Sequence, residues 1–285
     1  MAPIEAEMEP GKKPVALTIA GFDPTSGAGV TADLQIFAAH GVFGISAITA
    51  LTVQSTLGVA AIEPIEAPWL AKTLENLWAD LPAAGVKIGM LGSEGAVRVV
   101  AEFLRARRAS GRMIPVVLDP VLRSSSGHEL LPAPGLEILQ AELLPEVGWI
   151  TPNWAELGLL TGREVGSLRQ ARDAAEELGR RHAGLHVVAT GGESADFGKT
   201  AAETVDLLWT PGGGVQEFTG ERVETQSTHG TGCAFSSALL ARLVGGDAPV
   251  EAVAGAKAYV AEALRSAPGL GHGRGPLDLL WPLRT

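Results

Sequence analysis

The stretch Val15-Ala-Leu-Thr-Ile-Ala-Gly-Phe-Asp-Pro-Thr-Ser-Gly-Ala-Gly29, running on into Val30-Thr-Ala-Asp-Leu-Gln-Ile-Phe-Ala-Ala-His40, decides the fold. Val15 to Ala20 is a short apolar run rich in strand formers. The glycine-rich GFDPTSGAG follows at once, and from Gly29 onward Leu34, Phe37 and Ala38 recur at helical spacing. Strand, glycine loop and helix in immediate succession open an α/β unit.

The same alternation repeats along the chain. Ile45 to Val53 reads as a strand, Trp69 to Leu81 as a helix and Val86 to Leu91 as a strand. Ser93 is placed to cap a helix through Arg108, with arginines at its negative end and Gly111 beyond. Pro115 to Leu118 and Gly148 to Ile150 are short strands around a leucine-rich helix. Ser167 to His182 is a helix leading into a strand over Leu185 to Ala189. Residues 203 to 219 carry two weaker strands around PGGG, helices follow over 231 to 244 and 248 to 265, and the last 20 residues look extended. Short buried strands between helices imply one α/β domain: a central, mostly parallel sheet with helices on both faces. Residues 1 to 14 read as a disordered tail, 15 to 276 as the domain, and 277 to 285 as a C-terminal tail.

Composition removes whole classes of function. The 285 residues carry 22 Lys plus Arg against 32 Asp plus Glu, a net charge of −10, which argues against binding nucleic acid. A single cysteine excludes a disulfide framework and a cysteine-rich zinc site. MAPIEAEMEPGKKP is acidic and has no apolar run, so it does not read as a secretory signal, and no stretch is long and apolar enough for a membrane span. The expectation is a cytoplasmic protein.

In an open parallel sheet, ligands bind beyond the carboxyl ends of the strands. The residues that follow the strands are Gly21, Asp23, Gly27 and Gly29, then Gln54, Gly89 and Met90, Asp119, Asn153, and Thr190-Gly191-Gly192. Any one of them could be ordinary turn chemistry; together they suggest a rim site. His229-Gly230-Thr231-Gly232-Cys233 opens the helix AFSSALLARL. Free N–H groups and the helix dipole make such a turn an anion site, and they would lower the pKa of Cys233. The plainer alternative is a glycine turn with a small cysteine. Asp119, Asn153 and Glu156 carry oxygen atoms that could hold Mg²⁺ through water; the plainer alternative is an Asn cap with a first-turn Glu. Gly192 to Thr200 mimics a P-loop but has five residues between its glycines where four are needed. The histidines show no HExxH pattern, and GLGHGRG lacks a strand before it and a helix after it.

These segments, taken together, resemble the hydroxymethylpyrimidine/phosphomethylpyrimidine kinases of thiamine biosynthesis, within the ribokinase-like superfamily. ALTIAGFDPTSGAGVTADLQIFAAHGVFGISAITALTVQST, VKIGML, VVLDPV with SSGHELL, LLPEVGWITPNWAELGLLTG, THGTGCAFSSAL and GLGHGRGP carry the resemblance, from Ala16 to Pro276. It implies a homodimer that phosphorylates 4-amino-5-hydroxymethyl-2-methylpyrimidine with ATP, and then phosphorylates the monophosphate. Gly21, Asp33, Gln54, Met90 and Val121 would line the pyrimidine pocket. An amide and a carboxylate can read an aminopyrimidine edge, between apolar walls. Asp119 and Glu156 would manage Mg²⁺, while Asn153, Thr190 and Gly192 would face ATP. Gly230, Thr231, Gly232 and Cys233 would form the anion hole, with Cys233 standing where most of the superfamily has an aspartate base.

Thr190-Gly191-Gly192-Glu193 departs from the family's Lys-Gly-Gly-His, so a cation near the transferring phosphoryl is replaced. His128 and Arg123 are further departures, and Arg123 or Lys199 could supply the charge. Thr190 brings a pyridoxine or pyridoxal kinase of the same fold into play, and the missing lysine a pyrimidine sensor without catalysis.

Overall fold

Val15–Phe22 (β1), Gly29–Ala39 (α1) and Phe43–Ser55 (β2) form the opening unit. The computed structural model describes residues 13–111, 113–123, 127–191 and 203–284. Gly58–Pro64 (β3) and Ala67–Asp80 (α2) follow, then Gly85–Ile88 (β4) and Glu94–Ala109 (α3). Ser93 caps α3 by accepting from the Ala96 N–H. Next come Val116–Leu118 (β5) and Ala133–Ile138 (α4), which continues through a π-turn over Leu139–Leu143. Trp149–Ile150 (β6), Trp154–Thr161 (α5), Leu168–Arg181 (α6) and His186–Ala189 (β7) complete the parallel region. The chain closes with Glu203–Thr210 (β8), Gly214–Glu221 (β9), Thr231–Val244 (α7) and Pro249–Arg265 (α8).

The sheet order is β3-β2-β1-β4-β5-β6-β7-β8-β9. Strands β2, β1, β4, β5, β6 and β7 pair in parallel in that order, while β3 on one edge and the β8–β9 hairpin on the other run antiparallel. The expected mostly parallel sheet with helices on both faces is what forms. β3 is the strand that the sequence reading lacked. It lies on the edge and is half-exposed, so its apolar residues need not alternate cleanly. The two weak strands after residue 203 are the opposite edge. Past Pro276 the chain docks on α8: Leu277 and Leu279 are buried, and the Tyr259 hydroxyl donates to the Leu279 carbonyl at 2.5 Å.

Strand alternation splits the core in two. Leu17, Ile19, Val86, Ile88, Leu118 and Val187 meet α2, α3, α5 and α6. Ala16, Val117 and Val188 face α1, α7 and α8. Lys87, between Val86 and Ile88, therefore points at the α1–α7 side. It is 0% exposed and donates to both Asp33 oxygens, at 3.0 and 2.9 Å. Thr18 Oγ1 and Ser237 Oγ donate to the same carboxylate, at 2.5 and 2.7 Å. One buried carboxylate thus joins β1, β4, α1 and α7.

Removing one partner of a buried pair leaves the other charge uncompensated, which costs about 3–5 kcal/mol. Lys87→Met is expected to lose that much unfolding free energy in urea titrations. Lys87→Met combined with Asp33→Asn should recover most of it, because the amide still bonds the two hydroxyls. A double variant no more stable than Lys87→Met would show that the charge pairing is not what matters.

Candidate active site

The carboxyl ends of the parallel strands open on a cleft of about 2010 Å³ that extends to α8. Gly21, Gln54, Met90, Asp119, Val121, Asn153, Glu156, Thr190 and the turn Gly230 to Cys233 all line it. Asp33 does not. It is fully buried beneath the site in the Lys87 network, so its expected place in the pyrimidine pocket is corrected. Gly192, Lys199 and the P-loop-like run to Thr200 lie outside the described residues.

The first wall is built by Asp23. Its carboxylate accepts from Thr25 N at 2.9 Å, Thr25 Oγ1 at 2.8 Å and Ala28 N at 3.1 Å, folding the loop after β1 back onto α1. Burial works against its charge, but His229 and Thr25 outweigh that and hold the carboxyl below its usual range. Two glycines permit the close approach of the loops. Gly29 has φ +63, and a Cβ there would sit 2.3 Å from the Gly21 carbonyl; Gly230 has φ +86, and a Cβ there would sit 1.8 Å from the Gly27 carbonyl. Gly230 is the N-cap of α7 and offers no side chain. The first helical bond is Ala234 N to Gly230 O at 2.8 Å, which leaves the N–H groups of Thr231 to Cys233 without helical partners.

Opposite lies an acidic pair. Asp119, 4% exposed at the end of β5, accepts from Ser236 Oγ at 3.1 Å. Glu156 makes a capping box with Asn153: its N–H donates to Asn153 Oδ1 at 2.9 Å, and its Oε2 accepts from Asn153 N at 3.0 Å. The plainer expectation, an Asn cap with a first-turn Glu, therefore describes the local geometry, and the same carboxylate still faces the cleft. Burial pushes both acids up, Asp119 to about 6 and Glu156 to about 8, and the charge of Asp119 adds to the rise at Glu156. Among the described residues no group of three or more His, Cys, Asp or Glu forms a metal cluster. Two carboxylates beside an anion turn suit a cation that keeps water and phosphate oxygens as its other ligands.

Cys233 corrects an expectation. The helix N-terminus was to lower its pKa; instead burial pushes the thiol up to about 12. Lys87 and the Gly29 N–H work the other way, but the Asp119 and Asp33 carboxylates add to the rise. The thiol is protonated, and it donates to Asp119.

Sequence reasoning also left three groups without roles. Lys87 was visible as a charge inside the strand VKI. His229 stood in the quoted turn, and its Nε2 lies 2.6 Å from Asp23 Oδ2 and 3.1 Å from Gln54 Nε2. Asp206 accepts from Gly191 N at 2.9 Å and from Lys257 Nζ at 2.7 Å, pinning the turn after β7. Nothing local in the sequence joins those two residues.

A mostly parallel sheet with an anion turn, an acidic pair and a polar floor in one cleft is suited to transferring a phosphoryl group to a small molecule. The family model of phosphomethylpyrimidine kinase matches residues 23–278, and the chain belongs to that family. It is 36% identical over 267 residues to hydroxymethylpyrimidine/phosphomethylpyrimidine kinase of Staphylococcus aureus, covering 94% of each chain. It is 41% identical over 271 residues to the thiamine biosynthesis multifunctional protein ThiED of Corynebacterium efficiens, covering 93% of this chain and 35% of that longer one. Among solved structures, pyridoxal kinase of Staphylococcus aureus superposes with TM-score 0.83 at 29% identity, covering 95% of this chain and 94% of that one. It has been seen with pyridoxal, ADP and AMP-PCP. The protein is an ATP-dependent phosphotransferase.

The raised thiol pKa makes a direct forecast for the single cysteine. Only the thiolate is alkylated. Labelling of the ligand-free protein by iodoacetamide should be slow at pH 7 and climb about tenfold per pH unit to beyond pH 9. A rate already on a plateau at pH 7 would restore the thiolate.

Proposed function

We propose that the protein phosphorylates the hydroxymethyl group of 4-amino-5-hydroxymethyl-2-methylpyrimidine with ATP, and then the monophosphate, in thiamine diphosphate biosynthesis. The observation that carries the reading is Gln54. Its side-chain amide stands at the carboxyl end of β2 inside the cleft, where it can accept from and donate to an aminopyrimidine edge together. Met90 and Val121 supply apolar walls. The Thr231 to Cys233 amides stabilise negative charge on the transferring phosphoryl. Mg²⁺ fits Asp119 and Glu156, and when bound it neutralises phosphate charge. Asn153 and Thr190 form the wall on the ATP side.

Cys233 lines the place where the hydroxyl is phosphorylated, but as a thiol it does not take the proton before transfer begins. A loose phosphoryl transfer asks little of a base, so orientation and charge neutralisation carry most of the rate. Asp119, which accepts from the thiol, is the ionisable group joined to it.

Turnover with the hydroxymethylpyrimidine, its monophosphate and pyridoxal, each offered alone, tests the reading. ADP release is expected with the first two. Turnover with pyridoxal alone would make the protein the pyridoxal kinase of the same fold, and no turnover with any would make it a sensor. Gln54→Ala leaves polar edges of the ligand unpaired and should cost about 1–3 kcal/mol, read in KM for the pyrimidine.

A homodimer belongs to the same proposal. Leu51 and Val53, on one face of β2, and Leu57 in the β2–β3 turn are 45%, 65% and 73% exposed, an apolar row on an edge hairpin. Two-fold pairing with a second copy would cover it. Sedimentation should give twice the chain mass, falling to one chain in Val53→Asp. A monomeric parent would remove the dimer.

No helix among the described residues is long and apolar enough to cross a membrane. The cytoplasm is the proposed place of work.

A further inference from the structure

Three polar side chains cross the substrate end of the cleft in a row: Asp23, His229 and Gln54. His229 is only 12% exposed in its side chain, and its surroundings hold the ring. The backbone N–H of His229 donates to the Gly275 carbonyl at 3.1 Å, and the residue bridges to Pro276. At Gly27, a Cβ would stand 2.6 Å from the His229 Cδ2, so the loop after β1 packs directly on the imidazole. Nε2 then meets Asp23 Oδ2 at 2.6 Å, and Asp23 is itself held by Thr25 and Ala28.

These contacts decide the state of the next residue. Asp23 is a carboxylate, so Nε2 carries its proton and donates it to Asp23. The structure places the Gln54 amide nitrogen 3.1 Å from Nε2, where a protonated ring nitrogen has no lone pair for it; with the two ends of the amide exchanged, the carbonyl instead accepts a second arm of the Nε2–H shared with Asp23. The other end lies 3.3 Å from Thr52 Oγ1. That hydroxyl spends its proton on the Phe22 carbonyl at 2.9 Å and so offers lone pairs to an N–H. Both neighbours ask for the same orientation: carbonyl toward His229, amino group toward Thr52. The amide then keeps one lone pair and one N–H for a ligand, in fixed order along the cleft.

We propose that His229, held by Asp23, is a positioning residue that fixes the orientation of the Gln54 amide, and so makes the cleft specific for ligands presenting a donor and an acceptor side by side in one sense. An aminopyrimidine edge is such a ligand. Without the ring N–H nothing holds the carbonyl at that end: the Thr52 hydroxyl turns to donate to the amide oxygen, and the reversed amide presents N–H to N–H. Because His229 directly precedes the Gly230 to Cys233 turn, the group that orients the pyrimidine reader is also tied to the phosphate end of the site. The inference rests on Gln54 reading the pyrimidine.

A double-mutant comparison tests it, with KM for the hydroxymethylpyrimidine, KM for ATP and kcat measured in each variant. His229→Phe keeps a ring and removes the N–H. It should raise the pyrimidine KM about tenfold while leaving KM for ATP unchanged. In a Gln54→Ala background the same change should add less than about twofold, since there is no amide left to orient. His229→Gln, whose amide nitrogen reaches as far as Nε2, should restore most of the affinity, whereas His229→Asn, too short to reach Gln54, should behave as Phe does. These two need no space for an altered ring, and they carry the comparison if the Phe variant does not fold. An equal loss with and without Gln54, a matching rise in KM for ATP, or a Gln variant no better than Asn would each give His229 a merely structural role and overturn the proposal. If Gln54→Ala raises KM but His229→Phe does not, only this proposal falls. If Gln54→Ala itself leaves KM unchanged, the reading of Gln54 falls and the orientation argument goes with it.

Discussion

The pairing of Lys87 with Asp33 is the constraint on which the rest of the molecule depends. Both side chains are 0% exposed, and moving either charge alone out of water is far too costly to tolerate. Burial alone would discharge Lys87; the Asp33 carboxylate more than offsets this and keeps it cationic. The lysine comes from β4 and the carboxylate from α1, while the hydroxyls that complete the carboxylate's shell come from β1 and α7. Four elements far apart in sequence are thereby held at one point, each by a bond whose loss strands a buried charge. Hydrophobic burial drives the same elements together without direction. The polar network fixes how α1 and α7 sit across the strands.

That placement makes the cleft. α1 and α7 both begin at the carboxyl ends of the strands, and the loops leading into them meet at Gly27 and Gly230 with no space for a side chain. The helix that carries the anion turn is the helix that supplies Ser237 to Asp33, and Ser236 to Asp119 one residue before. The register of α7 over the buried pair thus sets where its free N–H groups point relative to the acidic residues. The charge pattern continues upward. Lys87 lies beneath, Asp119 and Cys233 above it, and Glu156 across the cleft, so that each acid feels the next. Carboxylates crowded in this way gain from a cation placed between them, because it offsets the burial and mutual repulsion that push their pKa values up.

Most of the frame was legible because it rests on local signals. Apolar runs bounded by glycine marked the parallel strands, and Ser93, Ser167 and Asn153 announced helices that they do cap. The rim followed from topology alone, since whatever follows a parallel strand faces the same edge. What stayed hidden is pairwise and long-range. Asp33 looks like a ligand residue by its motif, yet Lys87, 54 residues on, claims it. Cys233 sits at a helix start, which lowers a thiol pKa, yet its burial against other elements, with two of their carboxylates adding to it, reverses the sign. β3 could not announce itself, because an edge strand need bury neither face fully. Propensity and periodicity speak for one element at a time, whereas these outcomes belong to pairs.

At Thr190, where the resemblance puts a lysine, such pairs bear on the proposed chemistry. Thr190 is bound through its N–H to the Pro152 carbonyl at 2.9 Å, and its neighbour Gly191 donates to Asp206. The cation beside this turn, Lys257, is paired with the same Asp206 at 2.7 Å. Its charge is thus committed to holding the turn, and the local sum of lysine and aspartate is zero. An exposed arginine such as Arg123 acts through water and salt, which weakens its field on a phosphoryl group. On the proposed function, neutralising the transferred charge therefore falls chiefly to the α7 amides and to a cation held by Asp119 and Glu156. Amides at a helix start are fixed before the substrate arrives and need no reorganisation, so a turn of three free N–H groups can take over much of what a flexible lysine would supply.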